Sequence, residues 1–418
     1  MRLLILLAST TLLAACGGAG PESAGSIAPI GSGSGGDGSG GSGNEETHTF
    51  VNPTQPKTYK AVGSTHSYRY DVVEAGSGNA FQDAQLYQGN ANTVRNSALS
   101  IEYNPRDAIF NVSFSNGLAG TSGTSRFQDP LHRTNFGGVI EPQFGTPDLE
   151  SDAFGLEGIN YLEAGATKNL ALRPGGEFVF DLINASETGS HDVTTFFYQT
   201  PGTETQYVTF AGYLRNTAGV APSEITNPDG SITKIITQTN AFERGAIAYG
   251  EITLNDRVPT SGTGSFEGSM LATMVFNDQP DTTGNADTYF QWIAGRATTN
   301  IDFKANTFAL SLDGNVGAPL FDGTSGDHSV LEGAQFRANG AGQIDLVAAG
   351  GFLGQFNEAW FTNPDPGGTR LDVNIAGSSI DGAFYGPDGK EIGGGYRIVG
   401  GTPDERIDIL GTFVGKGK

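Results

Sequence analysis

The sequence predicts an all-β protein whose C-terminal part is an up-and-down antiparallel barrel. Three observations carry this. Glycine accounts for 63 of the 418 residues and aromatic side chains for 10%, the composition of many strands joined by tight turns. From about Gly245 onward apolar residues recur at every second position, the period of a strand with one buried face. Signals for amphipathic helices are almost absent there, and closing sequential strands into a barrel removes both exposed edges.

The elements follow in chain order. Arg2, the apolar run Leu3 to Leu13 and the small residues Ala14 and Ala15 read as a secretory signal over residues 1–15, too short to span a membrane as a mature helix. Leu13-Ala14-Ala15-Cys16 resembles the bacterial lipobox, in which the cysteine receives lipid, palmitate among the chains, and becomes the new N-terminus. Each buried methylene contributes ~0.8 kcal/mol, so several acyl chains hold a protein on a bilayer. Residues 16–49 form a tether rich in Gly and Ser, spanning ~30 Å on average. It contains a Gly-x-Gly-x-x-Gly match at Gly33, Gly35 and Gly38, with no strand before it and no helix after it, so it is linker composition.

Residues 50–244 read as a β-rich N-terminal domain with interrupted strand signals. Ser64 to Val73 alternates, with His66, Tyr68 and Tyr70 on one face; Asn111 to Phe114, Phe178 to Ile183 and Gln206 to Leu214 also read as strands. Ser115 to Gly176 has weak periodicity and many turn residues, which predicts long loops. Residues 245–418 form the predicted barrel, expected to fold by itself. Phe266, Met270, Ala272, Met274 and Phe276 alternate, Phe308, Leu310 and Leu312 follow, then Val330 to Arg337, and Ile407 to Gly415 closes the chain. Gly394 is expected to face a crowded interior.

Charge and chemistry narrow the function classes. A formal net charge of −22 disfavours nucleic acid as a partner. A single cysteine, Cys16, excludes an internal disulfide and a thiolate metal cluster. No nucleophile elbow, zincin helix or phosphate loop occurs, and the five histidines are scattered. The expectation is therefore a protein without catalytic residues, resident metal or cofactor. His66, Tyr68 and Tyr70 could ligate haem iron; a cross-strand aromatic ladder is the preferred reading. Trp292 and Trp360 read as barrel packing.

The stretch from Asp381 to Tyr396 contains Gly382, Phe384, Tyr385, Gly386, Pro387, Glu391, Gly393, Gly394 and Tyr396. It resembles the closing motif of the transferrin-binding protein B family, and Leu410 to Lys416 resembles that family's last strand. Tyr207 to Tyr213 resembles a strand ending the family's handle domain. Asp388-Gly389-Lys390 departs from the usual motif, and the chain has the length of one lobe. The resemblance implies an eight-stranded antiparallel barrel preceded by a β-rich handle domain with long loops. It also implies an outer-membrane surface lipoprotein, exported by an outer-membrane translocator (Slam). Such a protein binds a host protein or solute, as co-receptor for a TonB-dependent receptor in iron, haem or nutrient acquisition. An adhesive or structural envelope lipoprotein with no soluble ligand is the alternative.

Recognition by a closed barrel must come from loops and exposed side chains. The irregular stretch supplies the candidate partner-binding residues Arg126, Phe127, His132, Arg133, Phe136 and Tyr161. Aromatic and arginine side chains dominate binding hot spots.

Overall fold

The alternating segments pair as the periodicity requires, and the computed structural model arranges them in two nine-stranded antiparallel sheets and a short two-stranded ribbon. It describes residues 51–418 except 76–78, 85–96, 108, 117–120, 128–147, 152–153, 169–170, 173–177, 180–188, 278–287, 320–328, 348–349 and 402–405. Cys16, the tether, His132, Arg133 and Phe136 lie outside the described residues.

The N-terminal part contributes β1 (Lys57–Ala75), β2 (Asn79–Ala84), β3 (Ser97–Asn104), β4 (Ile109–Asn116), β5 (Thr121–Phe127) and β6 (Ile159–Lys168). The ribbon β7 (Ala171–Leu172) and β8 (Phe178–Val179) follows, then β9 (Gly189–Gln199), β10 (Val208–Thr226) and β11 (Ile232–Gly250). The sheet order is β5-β4-β3-β1-β11-β10-β9-β6, with β2 on β1. The sheet curls around an aromatic core in which Phe110, Phe127, Phe196 and Tyr198 pack together. β10 and β11 form a long hairpin turned at Asn227-Pro228-Asp229-Gly230. Gly230 takes φ 85°, and the Asp229 carboxylate accepts from the Ser231 amide at 2.9 Å.

The C-terminal part contributes β12 (Thr263–Asn277), β13 (Thr288–Asp302), β14 (Thr307–Val316), β15 (Gln335–Asp345), β16 (Gly351–Thr362), β17 (Arg370–Asp372), β18 (Asn374–Tyr385), β19 (Glu391–Gly401) and β20 (Arg406–Gly417). β15 pairs with both β14 and β16, which closes eight strands into a barrel; β17 is a short flap on β16. The predicted alternation holds: β14 is exposed and buried by turns, and Phe308, Leu310 and Leu312 fill the interior with Phe266, Met270 and Met274.

Three expectations change. β11 runs to Gly250 within the first sheet, so residues 245–250 belong with the N-terminal part. The strand expected from Val330 starts only at Gln335, because Gly333 (φ 79°) and the Ala334 amide bonded to the Leu331 carbonyl make a turn. Among the described residues the irregular stretch after Ser115 holds strands β5 and β6 and the two-residue β7. In β6, Tyr161 and Leu162 are both buried, on opposite faces, so the alternation that marks a half-exposed strand disappears.

Candidate functional site

The outer wall of the barrel is apolar where β12, β13, β18 and β20 meet the first sheet. Leu271, Val275, Phe290, Trp292, Ala383, Tyr385 and Val414 project outward and pack on Val62, Phe197, Val208, Phe210, Leu214 and Ala248. The Trp292 ring meets Phe197 edge to face, with centroids 4.9 Å apart. Trp292 is thus core packing, as expected from the sequence, but on the outside of the barrel.

The β18–β19 hairpin, which carries the closing motif, joins the two parts. Its turn begins at Gly386, whose φ is 73° and against which the Tyr207 ring lies; Pro387 follows. The Glu391 carboxylate then accepts three successive backbone N–H groups of the other part, from Gln206 (2.7 Å), Tyr207 (2.7 Å) and Val208 (3.2 Å). Burial raises the Glu391 pKa, and the three donors act in the opposite sense. A Cβ on Gly393 would fall 2.7 Å from the Val208 side chain, so only glycine admits the neighbouring strand so closely. Phe384 and Tyr396 point into the barrel, where the ring of Phe352 covers Gly382 and that of Phe413 approaches Gly394.

Further along the same seam lies a buried charge cluster. Arg244 of β11 is 1% exposed and reaches into the barrel wall. Its Nη1 donates to the carbonyl and hydroxyl of Thr273 at 2.7 and 2.9 Å, and its Nη2 to the carbonyl of Asp408 at 3.0 Å. Nη2 also lies 2.9 Å from the Asp408 carboxylate. Arg397 of β19 grips that carboxylate at two points, 3.2 and 2.7 Å. His66 of β1 accepts from Arg244 Nε at Nδ1 (3.2 Å) and turns Nε2 to Asp408 at 3.5 Å. Burial lowers the His66 pKa to about 3; Asp408 opposes this and the two arginines reinforce it. Burial alone would raise the Asp408 pKa, but Arg397, His66 and Arg244 hold it well below the usual carboxylate range.

The molecule has two poles. Val51 donates to the Gln206 carbonyl at 2.8 Å, next to the Glu391 contact, so the chain joins the folded body at the pole of the β18–β19 turn. Barrel connections at this pole are short: 303–306, 346–350 and 386–390. The connections between strand ends at the opposite pole are longer in three of four cases: 278–287, 317–334, 363–373 and 402–405. Leu214 and Arg244 lie level with Asp408, close to that far end of the barrel wall. β10 and β11 continue past them to Thr226 and Ile232, about 40 Å of further strand at ~3.3 Å per residue. Near the hairpin tip Ile225 and Ile232 are 51% and 62% exposed.

Of the candidate partner-binding residues, Arg126 is exposed on β5. Phe127 and Tyr161 are corrected: both are buried, so their rings do not meet a partner. Phe127 stacks on Phe196 with centroids 4.6 Å apart. The Tyr161 hydroxyl accepts the Leu149 amide at 3.0 Å. Residue type suggested hot spots there, and a curled sheet with two apolar faces used them as core. His66 belongs to the charge cluster rather than to an aromatic ladder. The side chains of Tyr68 and Tyr70 lie outside the described residues. Trp360 is half-buried on the barrel wall under the Arg370 guanidinium, 4.4 Å from its ring centroid. Sequence reasoning missed Arg244, Arg397 and Asp408. The available signal was a charge inside an apolar run, as in Ile407-Asp408-Ile409-Leu410. Among the described residues no cluster of His, Cys, Asp and Glu could hold a metal ion, and no helix is long and apolar enough to cross a membrane.

No protein-family model and no curated protein matches the chain. Among solved structures it is similar to a single-substitution variant of the vaccine antigen Transferrin Binding Protein B from Haemophilus parasuis Hp5. The identity is 15% and the TM-score 0.28, over 90% of this chain and 62% of that one. It is also similar to isotype 1 Transferrin binding protein B from serogroup B Neisseria meningitidis. There the identity is 12% and the TM-score 0.26, over 88% of this chain and 77% of that one. The chain thus spans less than two thirds of the Haemophilus protein.

Proposed function

We propose that the chain is a lipid-anchored surface protein of the outer membrane that binds an extracellular protein or solute at the pole facing away from the bilayer. One observation carries this reading. The tether side of the chain meets the folded body beside Gln206 and Glu391, while the β10–β11 tip and the longer barrel connections gather at the other pole. A Gly/Ser tether leaves the body free to turn that pole outward. Loops and projecting edges on a rigid scaffold are where binding residues collect. The closing motif from Gly382 to Tyr396, with its resemblance to the transferrin-binding protein B family, supports the ligand-binding class. By the same resemblance a TonB-dependent receptor is the partner that takes over the cargo, and an outer-membrane translocator is the partner in export.

The test has two steps. Intact cells of an outer-membrane bacterium expressing the full chain are treated with protease, and the released fragments are mapped. Cleavage within 278–287 or 226–232 on unbroken cells is expected; cleavage only after lysis would overturn surface display. The soluble chain from residue 44 is then used to capture ligands from growth medium and host fluid. A ligand whose binding survives deletion of 224–233 and replacement of 278–287 by Gly-Ser would place the contact elsewhere.

A further inference from the structure

We propose that the pole where the tether enters is a docking face for the anionic head-group layer of the bilayer, with Lys304, Lys390 and Lys416 against lipid phosphates and Leu254, Val347 and Leu353 against the apolar margin of that layer. This rests on the lipid-anchored reading and adds how the folded body sits on the membrane.

The lysines are unevenly placed. Of the eight in the chain, six lie at this pole: Lys57 and Lys60 open β1, Lys304 and Lys390 sit in the 303–306 and 386–390 turns, and Lys416 and Lys418 end β20. Lys390 and the end of β20 are neighbours, since the Gly417 amide donates to the Lys390 carbonyl at 2.9 Å. Of the other two, Lys168 ends β6 and Lys234 lies beside the β10–β11 tip. Most carboxylates at this pole are bound back into the protein. Glu251 pairs with Lys57 and Glu267 with Lys418. Asp302 accepts the Lys304 and Ala305 amides, and Asp345 accepts the Val347 amide. Glu391 is buried, while Asp256 and Asp388 are exposed. The pole is thus close to neutral in a chain of net charge −22. Lys304, Lys390 and Lys416 are exposed, and a lysine stem carries its ammonium further out than an aspartate carries its carboxylate. Attraction to an anionic surface decays within a Debye length, so these cations count and the distant acidic body is screened.

Exposed apolar side chains share the pole. Among the described residues five large ones are exposed, and three are here: Leu254 (44%), Val347 (84%) and Leu353 (40%). The Asn255 side chain donates to the Leu346 carbonyl, which ties the Leu254 segment to the Val347 turn. Apolar tips among cations suit a head-group boundary. The tether fixes which pole faces the layer, because the chain coming from Cys16 joins the body at Val51, bonded to Gln206.

The single cysteine supplies the test. Residues 16–418 are coupled through Cys16 to a maleimide lipid in vesicles of phosphatidylcholine and phosphatidylglycerol in equal parts. Lysines are then acetylated briefly and read by mass spectrometry. The thiol couples whether or not cells lipidate it, so the anchor reading stands or falls separately, by cell fractionation. Acetylation of Lys304, Lys390 and Lys416 is expected to fall about five-fold or more relative to the uncoupled chain, with Lys234 unchanged. On phosphatidylcholine alone, or at high salt, the protection is expected to shrink below about two-fold. Val347→Asp, at an exposed site, is expected to keep the melting temperature and weaken the protection of Lys304. Equal acetylation of these lysines in coupled and uncoupled chain would overturn the proposal. So would equal protection of Lys234, undiminished protection on phosphatidylcholine alone, or full protection in a folded Val347→Asp chain.

Discussion

At the scale of single residues, the seam concentrates its electrostatics on Asp408 and His66. Burial, with Arg244 beside it and against the pull of Asp408, keeps His66 neutral, and its folded pKa of about 3 lies below the ordinary value of 6.5. The unfolded chain therefore takes up a proton first on acidification. The stability contributed by neutral His66 is complete above pH 6.5 and is lost as pH falls toward 3, with a slope of up to ~1.4 kcal/mol per pH unit. Asp408, whose folded pKa is depressed, adds the same sign of loss below its ordinary carboxylate value of 3.8. Thermal melts between pH 7 and 4.5 should show a falling midpoint, and His66→Gln should flatten that slope; an equal slope in the variant would remove His66 as its source. Gly394 makes a steric case. A Cβ there would lie 2.2 Å from the Asp381 carbonyl and 3.0 Å from the Phe413 ring. Gly394→Phe is expected to cost more than ~3 kcal/mol, above the usual range for overpacking, since backbone as well as side chain must move. Urea unfolding of the variant reads this directly.

At the scale of elements, the β18–β19 hairpin works as a clasp as much as a piece of barrel wall. Its Glu391 carboxylate closes the start of β10 through three amides. Glu391→Gln turns an amide N–H toward donors and leaves at least one buried N–H without an acceptor, an expected cost of ~1–3 kcal/mol. Exchange of the amides at 206–208 should rise more than that of β12 amides in the same variant; a uniform rise would mean the hairpin matters only to the barrel. The tip of the β10–β11 hairpin predicts the opposite profile. Ile225 and Ile232 are exposed near the end of a projecting element. Their joint replacement by Ser should change unfolding stability by less than ~0.5 kcal/mol. It should also weaken binding of a ligand captured with the parent chain, as measured by calorimetry.

At the scale of the whole molecule, the proposed function assigns anchoring and recognition to opposite poles. Cys16→Ser should release the protein from the membrane fraction, and the released protein should melt at the same temperature as the parent freed of its first 16 residues, since the described strands start at Lys57. Membrane retention of that variant would mean that another part of the chain holds the bilayer. The apolar seam also sets what a truncation can do. A barrel fragment starting at residue 251 keeps its interior core but bares Leu271, Val275, Phe290, Trp292 and Tyr385 on its outer wall. An uncovered patch of that kind invites self-association.

The sequence by itself determined the β class, the barrel and most of its strands, because side-chain alternation is a local property and one face of each strand was buried. It also located the closing motif, whose glycines and Glu391 are recognisable in order along the chain. Tertiary structure alone decided what that motif touches, because Gln206 to Val208 are remote from Glu391 in sequence and adjacent only when β10 docks. Tertiary structure likewise decided that Phe127 and Tyr161 are core, since burial on a curled sheet depends on which strands come round to cover it. The cluster of His66, Arg244, Arg397 and Asp408 was illegible for the same reason. Its members come from the first strand, from the last strand of the N-terminal part and from the last two strands of the chain, and each charge is tolerable only because the others arrive.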